Sequence, residues 1–392
     1  MSDAVLPVRA HSSLGASSSY RWMTCPGSVT LSDGIPDVES SFAKEGTAAH
    51  HLGEQSLLLD MDPSFFLGEV YEGIRVDEDM VEAVQVYYRY VKERRAVPGF
   101  QRMLVEHRVD LSALDPPRPM FGTCDCVLVF DNFIEVIDYK HGIGIVVEVE
   151  DNPQAMYYAL GMVLEADLGM CSSSPVVITI VQPRIPHRDG LVRSDTTTGT
   201  ALLDWSDSLV QAAQRTIDEP KTYVPGEKQC RFCKAAPICS DLKDYAVTTA
   251  YEEFGPLPAP ELLTVKEMAQ ILDRSGTIKV WVSAIERHCH AEAEMGRVPP
   301  GYKLVQKRAN KKWLPGHDRK YALPMGTLFG TDERELTKVV TPAQFIKTTG
   351  LDPSDHYEQV SSGTNLVQEG EYGVPVIQSA TDDFTTQEKK DG

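Results

Sequence analysis

Asp138 and Lys140 stand two residues apart in a β-rich run, so both side chains leave the same face of one strand. A second acid, Asp125, lies in the preceding β-rich run, and Asp131-Asn132 between the runs predicts a hairpin turn. Such a hairpin would bring the two carboxylates within reach of one ion. This chemistry suits phosphodiester hydrolysis. Carboxylates are hard oxygen ligands for Mg²⁺ or Mn²⁺. The ion polarises the phosphate and lowers the pKa of a bound water. A neighbouring ammonium stabilises hydroxide and the negative charge that develops. The same pattern also fits the wet face of a half-exposed strand, and spacing alone leaves both readings open.

Two helical segments offer further groups. In Glu45-Gly46-Thr47-Ala48-Ala49-His50, the small residues at 46–49 would let a helix approach the sheet closely and present His50 as an imidazole ligand. A lone histidine is equally at home in a structural role. Gln154 and Tyr158 are four apart and share one helix face. They are able to hydrogen-bond a phosphate or brace the acids, or they are one surface amide and one core tyrosine.

The eight cysteines are expected to be free thiols, metal ligands or catalytic groups rather than disulfides, because no signal peptide is visible and a cytoplasmic chain keeps its thiols reduced. Cys230-x2-Cys233-x5-Cys239 is compact enough to chelate one centre. Cys25, in the turn-like TCPGS before the first long helix, is the attractive fourth ligand. Cys124 and Cys126 flank Asp125 and are expected to be buried small hydrophobes, while Cys171 and Cys289 have no partner motif. Zinc and a [4Fe–4S] cluster both accept four cysteines, and spacing does not separate them.

The elements that must position these groups are legible from periodicity. Helical spacing covers 41–60 and 76–96, with Val84, Tyr87, Tyr88 and Val91 on one side. Strands are expected at 103–110, 122–130 and 133–139, a helix at 152–166, a buried strand at 176–182 and a helix at 201–219. The order of helix, three strands, helix, strand and helix predicts an α/β core with a mixed central sheet flanked by helices. Further helices are expected at 262–296 and 342–349. The expected division is a domain at 1–250, a helical extension at 255–350 and an acidic, flexible tail at 351–392.

The formal charge of −19 argues against a protein that coats nucleic acid, but the charge is uneven. Residues 301–320 carry seven Lys/Arg against one acid, and residues 352–392 carry nine acids against two lysines. The basic stretch, through Lys307, Arg308, Lys311, Lys312 and Trp313, would contact phosphates and stack on a base, or is a solvated surface strand. No run reaches the length that crosses a bilayer.

Together these motifs resemble the RecB-like branch of the PD-(D/E)XK nucleases. That pattern stands here as Gly46…His50, Gly122-Thr123-Cys124-Asp125, Asp138-Tyr139-Lys140 and Gln154…Tyr158, across roughly residues 20–245. The resemblance implies a restriction-endonuclease-like core and metal ligation by His50, Asp125, Asp138 and the Tyr139 carbonyl. It also implies that Lys140 activates the water and that Gln154 and Tyr158 support the site. AddB-type and CRISPR-associated members carry one distant N-terminal cysteine and a C-terminal Cys-x2-Cys-x5-Cys group around an iron–sulfur cluster. The resemblance therefore implies a [4Fe–4S] cluster on Cys25, Cys230, Cys233 and Cys239, in preference to zinc. It further implies a Mg²⁺- or Mn²⁺-dependent DNA exonuclease acting on a free end, carried by a phage or prophage in a bacterial cytoplasm. A single-strand annealing protein would be its recombination partner. Two rivals remain: a catalytically silent DNA-end-binding or assembly protein, and a zinc-stabilised interaction module.

Overall fold

The computed structural model describes residues 12–36, 41–165, 173–254, 264–307, 310–314, 341–349, 352, 354–360, 363–369 and 376. The chain divides into two compact units, 1–284 and 285–392, with the division inside a long helix. The linker that the sequence suggests, PLPAP at 256–260, lies outside the described residues.

In the first unit, α1 (Ser19–Thr24), α2 (Gly27–Leu31) and α3 (Ser41–Leu59) precede a small hairpin of β1 (Val70–Tyr71) and β2 (Ile74–Arg75). Then come α4 (Glu78–Arg95), β3 (Phe100–Asp110), β4 (Phe121–Phe130), β5 (Ile134–Tyr139), α5 (Pro153–Leu164), β6 (Pro175–Val181), β7 (Val192–Thr198) and α6 (Gly199–Asp218). The unit ends with α7 (Glu227–Arg231), α8 (Ser240–Phe254) and most of α9 (Val265–Glu294). No helix among the described residues is long and apolar enough to cross a membrane.

The five-stranded sheet runs β3-β4-β5-β6-β7 and is mixed: only β5 and β6 are parallel. Asp131-Asn132 turns β4 into β5, as the sequence predicts, and α5 supplies the crossover a parallel pair requires. The order of helix, three strands, helix, strand and helix is as read from periodicity, with one addition. Strand β7 is an edge strand of mostly polar residues (VRSDTTT), so it carries no apolar signal.

Helices cover both faces of the sheet. Val127, Val129, Ile134, Val136 and Ile180 pack with Tyr157 and Leu160 of α5, Leu202 and Leu209 of α6, and Trp22 of α1. On the other face Leu128, Phe130, Ile137 and Tyr139 meet Leu52 of α3 and Val84, Tyr87 and Val91 of α4. Each fully buried large side chain contributes roughly 1.5–3 kcal/mol. Ala48 and Ala49 are completely buried and Gly53 lies against the Tyr87 ring, so small residues do bring α3 close. Gly46 is not among them: a Cβ there would meet nothing within 4 Å.

Start signals set the entry of the site-bearing helix. Asn152 Oδ1 accepts the N–H groups of Gln154 (3.1 Å) and Ala155 (3.2 Å), with Pro153 in the first turn. Glu135, on the same strand as Asp138, is fully buried and committed elsewhere, accepting from Arg94 Nε (2.6 Å), Tyr90 Oη (2.5 Å) and Thr179 Oγ1 (2.8 Å).

In the second unit, β8 (Tyr302–Gln306) pairs antiparallel with β11 (Thr364–Gln368), and β9 (Asn310–Trp313) with β10 (Tyr357–Val360). Helix α10 (Pro342–Thr349) matches its expected span. Of the tail at 351–392, only 352, 354–360, 363–369 and 376 are among the described residues. Two stretches of it are strands, because YEQV and TNLVQ alternate and supply hydrogen-bond partners to β9 and β8.

Candidate functional site

Three acids line up across three neighbouring strands. Val105 pairs with Cys126 and His107 with Cys124, so Glu106 of β3 faces Asp125 of β4. Cys126 pairs with Ile137, and the next step sets Asp125 opposite Asp138 of β5. The pleat is irregular at this row. Cys124 packs on the α5 side of the sheet and Cys126 on the α3 side, where strict alternation would give them one face. Both thiols are fully buried, as expected. Glu106 carries φ of 50°, a left-handed conformation unusual for a residue with a side chain. Such strain typically costs about 1–3 kcal/mol and collects at functional sites.

Each acid is held differently. Asp125 Oδ2 accepts the Tyr139 N–H at 2.7 Å, and Oδ1 lies 3.1 Å from His50 Nδ1, carried on α3. His50, Glu106 and Asp125 each direct one ligand atom to a common point, with those atoms within 4.8 Å of one another. Asp138 is buried, and Lys140 Nζ donates to its Oδ1 at 3.1 Å. Oδ2 has the ion pair to Lys140 at 2.8 Å but no hydrogen bond among the described residues. Lys140 Nζ also donates to Gln154 Oε1 at 3.0 Å, and Gln154 Nε2 reaches Tyr158 Oη at 3.3 Å. Gly122 makes room for this support, since a Cβ there would stand 3.0 Å from the Tyr158 ring.

The electrostatics suit a bound cation. Burial alone would raise the Asp125 carboxyl, but His50, Lys140 and the Tyr139 N–H outweigh it and hold the group below the ordinary carboxylate range. Burial and the Asp125 charge together outweigh Lys140 and push Asp138 upward. Burial lowers the His50 imidazole, yet the Asp125 charge and hydrogen bond reverse that, and the net shift is upward. A buried carboxyl pushed upward beside an ionised neighbour, as Asp138 is beside Asp125, is relieved by a cation. Asp138 Oδ2, which meets the Lys140 ammonium but has no hydrogen bond among the described residues, and the three grouped ligands suit a hard divalent ion bound through oxygen and imidazole.

All six expected catalytic side chains, His50, Asp125, Asp138, Lys140, Gln154 and Tyr158, thus share one connected network. The Tyr139 ring packs beneath it, stacked on Tyr87 at 5.1 Å and edge-on to His50 at 5.5 Å. Sequence reasoning missed Glu106. The available signal was its strand position: once the hairpin register is set, the residue opposite Asp125 is an acid.

The expected DNA contacts belong to the second unit. Lys311 Nζ lies 4.6 Å from the Tyr357 ring centroid and 3.7 Å from Asp352, and Lys307 follows β8. Lys312 and Trp313 are in β9, but their side chains, like Arg308 as a whole, lie outside the described residues. Cys171 does too, and Cys289 is half-buried on α9.

The four cysteines expected to act together are brought together. Cys25 closes α1, Cys230 lies in α7, and Cys233 and Cys239 follow. Cys230, Cys233 and Cys239 share a small core with Leu242 and with Val280 and Ala284 of α9. Burial raises the Cys230 thiol to about 11, helped by charge on Cys233, Cys25 and Cys239. Burial raises Cys25 too, with Cys233 contributing. Cys25 Sγ accepts the Val224 N–H at 3.3 Å. Arg21 spans the group. Its carbonyl accepts the Cys25 N–H, its Nη1 donates to Phe232 O at 3.1 Å, and its buried Nε has no partner among the described residues.

A family model described as "Protein of unknown function (DUF2800)" matches residues 11–359, and the chain belongs to that family. Among solved structures, one from Eubacterium rectale provisionally assigned as an exonuclease is similar at 12% identity and a TM-score of 0.35, covering 56% of this chain and 86% of its own. The structure of SSO0001 is similar at 10% identity and a TM-score of 0.24, covering 55% of this chain and 94% of its own.

Proposed function

We propose that this DUF2800 family member is a Mg²⁺- or Mn²⁺-dependent deoxyribonuclease of the exonuclease kind, with a [4Fe–4S] cluster on its four clustered cysteines. The observation that carries the reading is the row Glu106, Asp125 and Asp138 with Lys140 held between Asp138 and Gln154. His50, Glu106, Asp125 and Asp138, with the Tyr139 carbonyl, would hold the divalent ion. When bound, the ion supplies Lewis acidity toward a phosphodiester oxygen and lowers the pKa of water.

The protein's own groups do the rest. Gln154 and Asp138 fix the Lys140 ammonium where it neutralises charge that develops on the phosphoryl oxygens and steadies an attacking hydroxide. Tyr158 holds the Gln154 amide from behind. Water forms the new bond to phosphorus as the bond to the leaving nucleotide oxygen breaks, with no covalent enzyme intermediate. The cluster would bind Cys25 to Cys230, Cys233 and Cys239, joining the start of the unit to its end, so cluster binding adds to folding free energy. DNA with a free end is the substrate class, and an annealing protein is its partner.

The test is cleavage of end-labelled single- and double-stranded DNA by anaerobically purified protein, with Mn²⁺, Mg²⁺ or EDTA, beside Asp138→Ala. Metal-dependent degradation that disappears in the variant is expected. A folded, cluster-bearing sample that binds DNA ends without cutting them would replace the enzyme with a DNA-end-binding protein.

A further inference from the structure

Arg184 lies just past β6, at the carboxyl end of the one parallel strand pair, where open α/β sheets receive ligands. The ends of the two strands are level, since the Lys140 N–H donates to Val181 O at 2.8 Å. Arg184 therefore approaches the same sheet edge as Lys140.

Its guanidinium is anchored through a single nitrogen. Nη1 donates to Glu45 Oε1 at 2.6 Å and to His141 Nε2 at 2.7 Å. An imidazole nitrogen that accepts from arginine carries no proton, so His141 holds its proton on Nδ1, where it donates to Tyr139 Oη at 2.8 Å. Glu45 Oε1 and His141 Nε2, 3.3 Å apart, are then two acceptors converging on one cation. Both anchors belong to site-bearing segments. Glu45 precedes His50 on α3, and His141 directly follows Lys140. His141 is buried, while the Arg184 side chain stays 23% exposed.

Nε and Nη2 of Arg184 donate to nothing among the described residues. Those two nitrogens form one planar edge of the guanidinium, the fork that matches two oxygens of a phosphate. The surrounding site is rich in carboxylate, and Lys140 is committed to Asp138 and Gln154. A polyanionic strand needs another cation there.

We infer that Arg184 binds a backbone phosphate of the DNA strand through its Nε–Nη2 edge, with Glu45 and His141 as positioning residues that aim it. This inference rests on the nuclease reading and names a substrate-binding residue for that site. Lysine at 184 would keep the charge but lose the fork.

The experiment uses full-length, anaerobically purified protein with the changes Arg184→Gln, Arg184→Lys and Glu45→Gln. Affinity for fluorescein-labelled oligodeoxythymidine is measured in EDTA over a range of salt, and kcat and KM are measured with Mn²⁺. For Arg184→Gln, weakening of about tenfold is expected, with the slope of log affinity against log salt reduced by about 0.7, the value of one single-strand phosphate contact. KM should rise with kcat little changed. Arg184→Lys should keep the slope and lose affinity, and it serves as the test if Arg184→Gln does not fold. Glu45→Gln should weaken binding while leaving the slope intact. Unchanged affinity and slope in a folded Arg184→Gln protein would overturn the inference and leave a structural ion pair. Because binding is read in EDTA, that result is distinct from a wild-type protein that cuts no DNA, which would defeat the nuclease reading instead.

Discussion

The backbone N–H of Tyr139 donates to Asp125 Oδ2 at 2.7 Å, so the residue between Asp138 and Lys140 orients the acid on the neighbouring strand. One hairpin therefore carries Asp125, Asp138 and Lys140 together. Asp125 cannot rotate without breaking a bond to the strand that carries the other acid and the lysine. Its other oxygen meets His50 and lies near Glu106.

Asp138→Ala is expected to reduce metal-dependent cleavage by at least about 10²–10³-fold, the scale of losing one group that stabilises transition-state charge. The fold should survive. Asp138 is a buried acid whose carboxyl is already pushed upward by burial and Asp125, so its removal relieves repulsion. Circular dichroism and thermal melting beside the cleavage assay check both halves. Full activity in the variant would remove this row of acids from the chemistry.

Glu106 separates conformation from ligand chemistry. With φ at 50°, its backbone suits glycine. Glu106→Gly should change stability by no more than about 1 kcal/mol, because relief of strain offsets the greater freedom of the unfolded chain. Glu106→Ala keeps the strain and should be the less stable of the two. Both should weaken Mn²⁺ binding about tenfold or more, read as a smaller rise in Tm on adding Mn²⁺. Equal Mn²⁺ stabilisation of wild type and both variants would exclude Glu106 as a ligand.

The contrast between Asp138 and Glu106 marks what was legible in the sequence. Asp138, Lys140, Gln154 and Tyr158 announce themselves because pairs two apart on a strand or four apart on a helix share a face. The β4–β5 turn and the capped start of α5 are equally local signals. Glu106 is invisible to such rules. Its place beside Asp125 depends on the pairing of two strands and on a break in the pleat, both tertiary. Strand β7 was missed for another reason, since an edge strand facing solvent has no apolar alternation to read. Arg184 was missed because its partners come from α3 and from the segment after β5.

The C-terminal segment gives a prediction for the second unit alone. Removing residues 352–392 strips β10 from β9 and β11 from β8, leaving two strands with unpaired edges. Exposed edges invite association between chains. The truncated protein should show lower solubility and lose protection of the β8 amides in hydrogen exchange. A monodisperse truncation with β8 still protected would mean that these pairings contribute little.

Gly161 tests the packing that seats the helix bearing Gln154 and Tyr158. A Cβ at Gly161 would come within 2.5 Å of Val109 Cβ on β3, well inside contact distance. Gly161→Ala should therefore push α5 off the sheet and cost about 1–3 kcal/mol, the usual penalty for overpacking. Activity should fall with it, because Gln154 would draw away from Lys140. Adding Val109→Ala should restore both stability and cleavage in part. Failure of that second change to restore either would locate the damage somewhere other than the α5–β3 contact.

Cys233→Ser should lose visible absorbance and soluble yield together. Cys233 bears electrostatically on Cys25, Cys230 and Cys239, so it is the common neighbour of the group. Its loss would leave the proposed centre with three of its four ligands. Because Cys25 caps the end of α1 and the other three lie beyond α6, the damage should reach the helices around Trp22 as well as the cysteine loop. Iron and zinc contents, measured on wild type and variant, discriminate the two possible centres. Colour with iron in the wild type and neither in the variant is the expected result, whereas a stoichiometric, colourless zinc protein would replace the cluster with a zinc staple on the same four ligands.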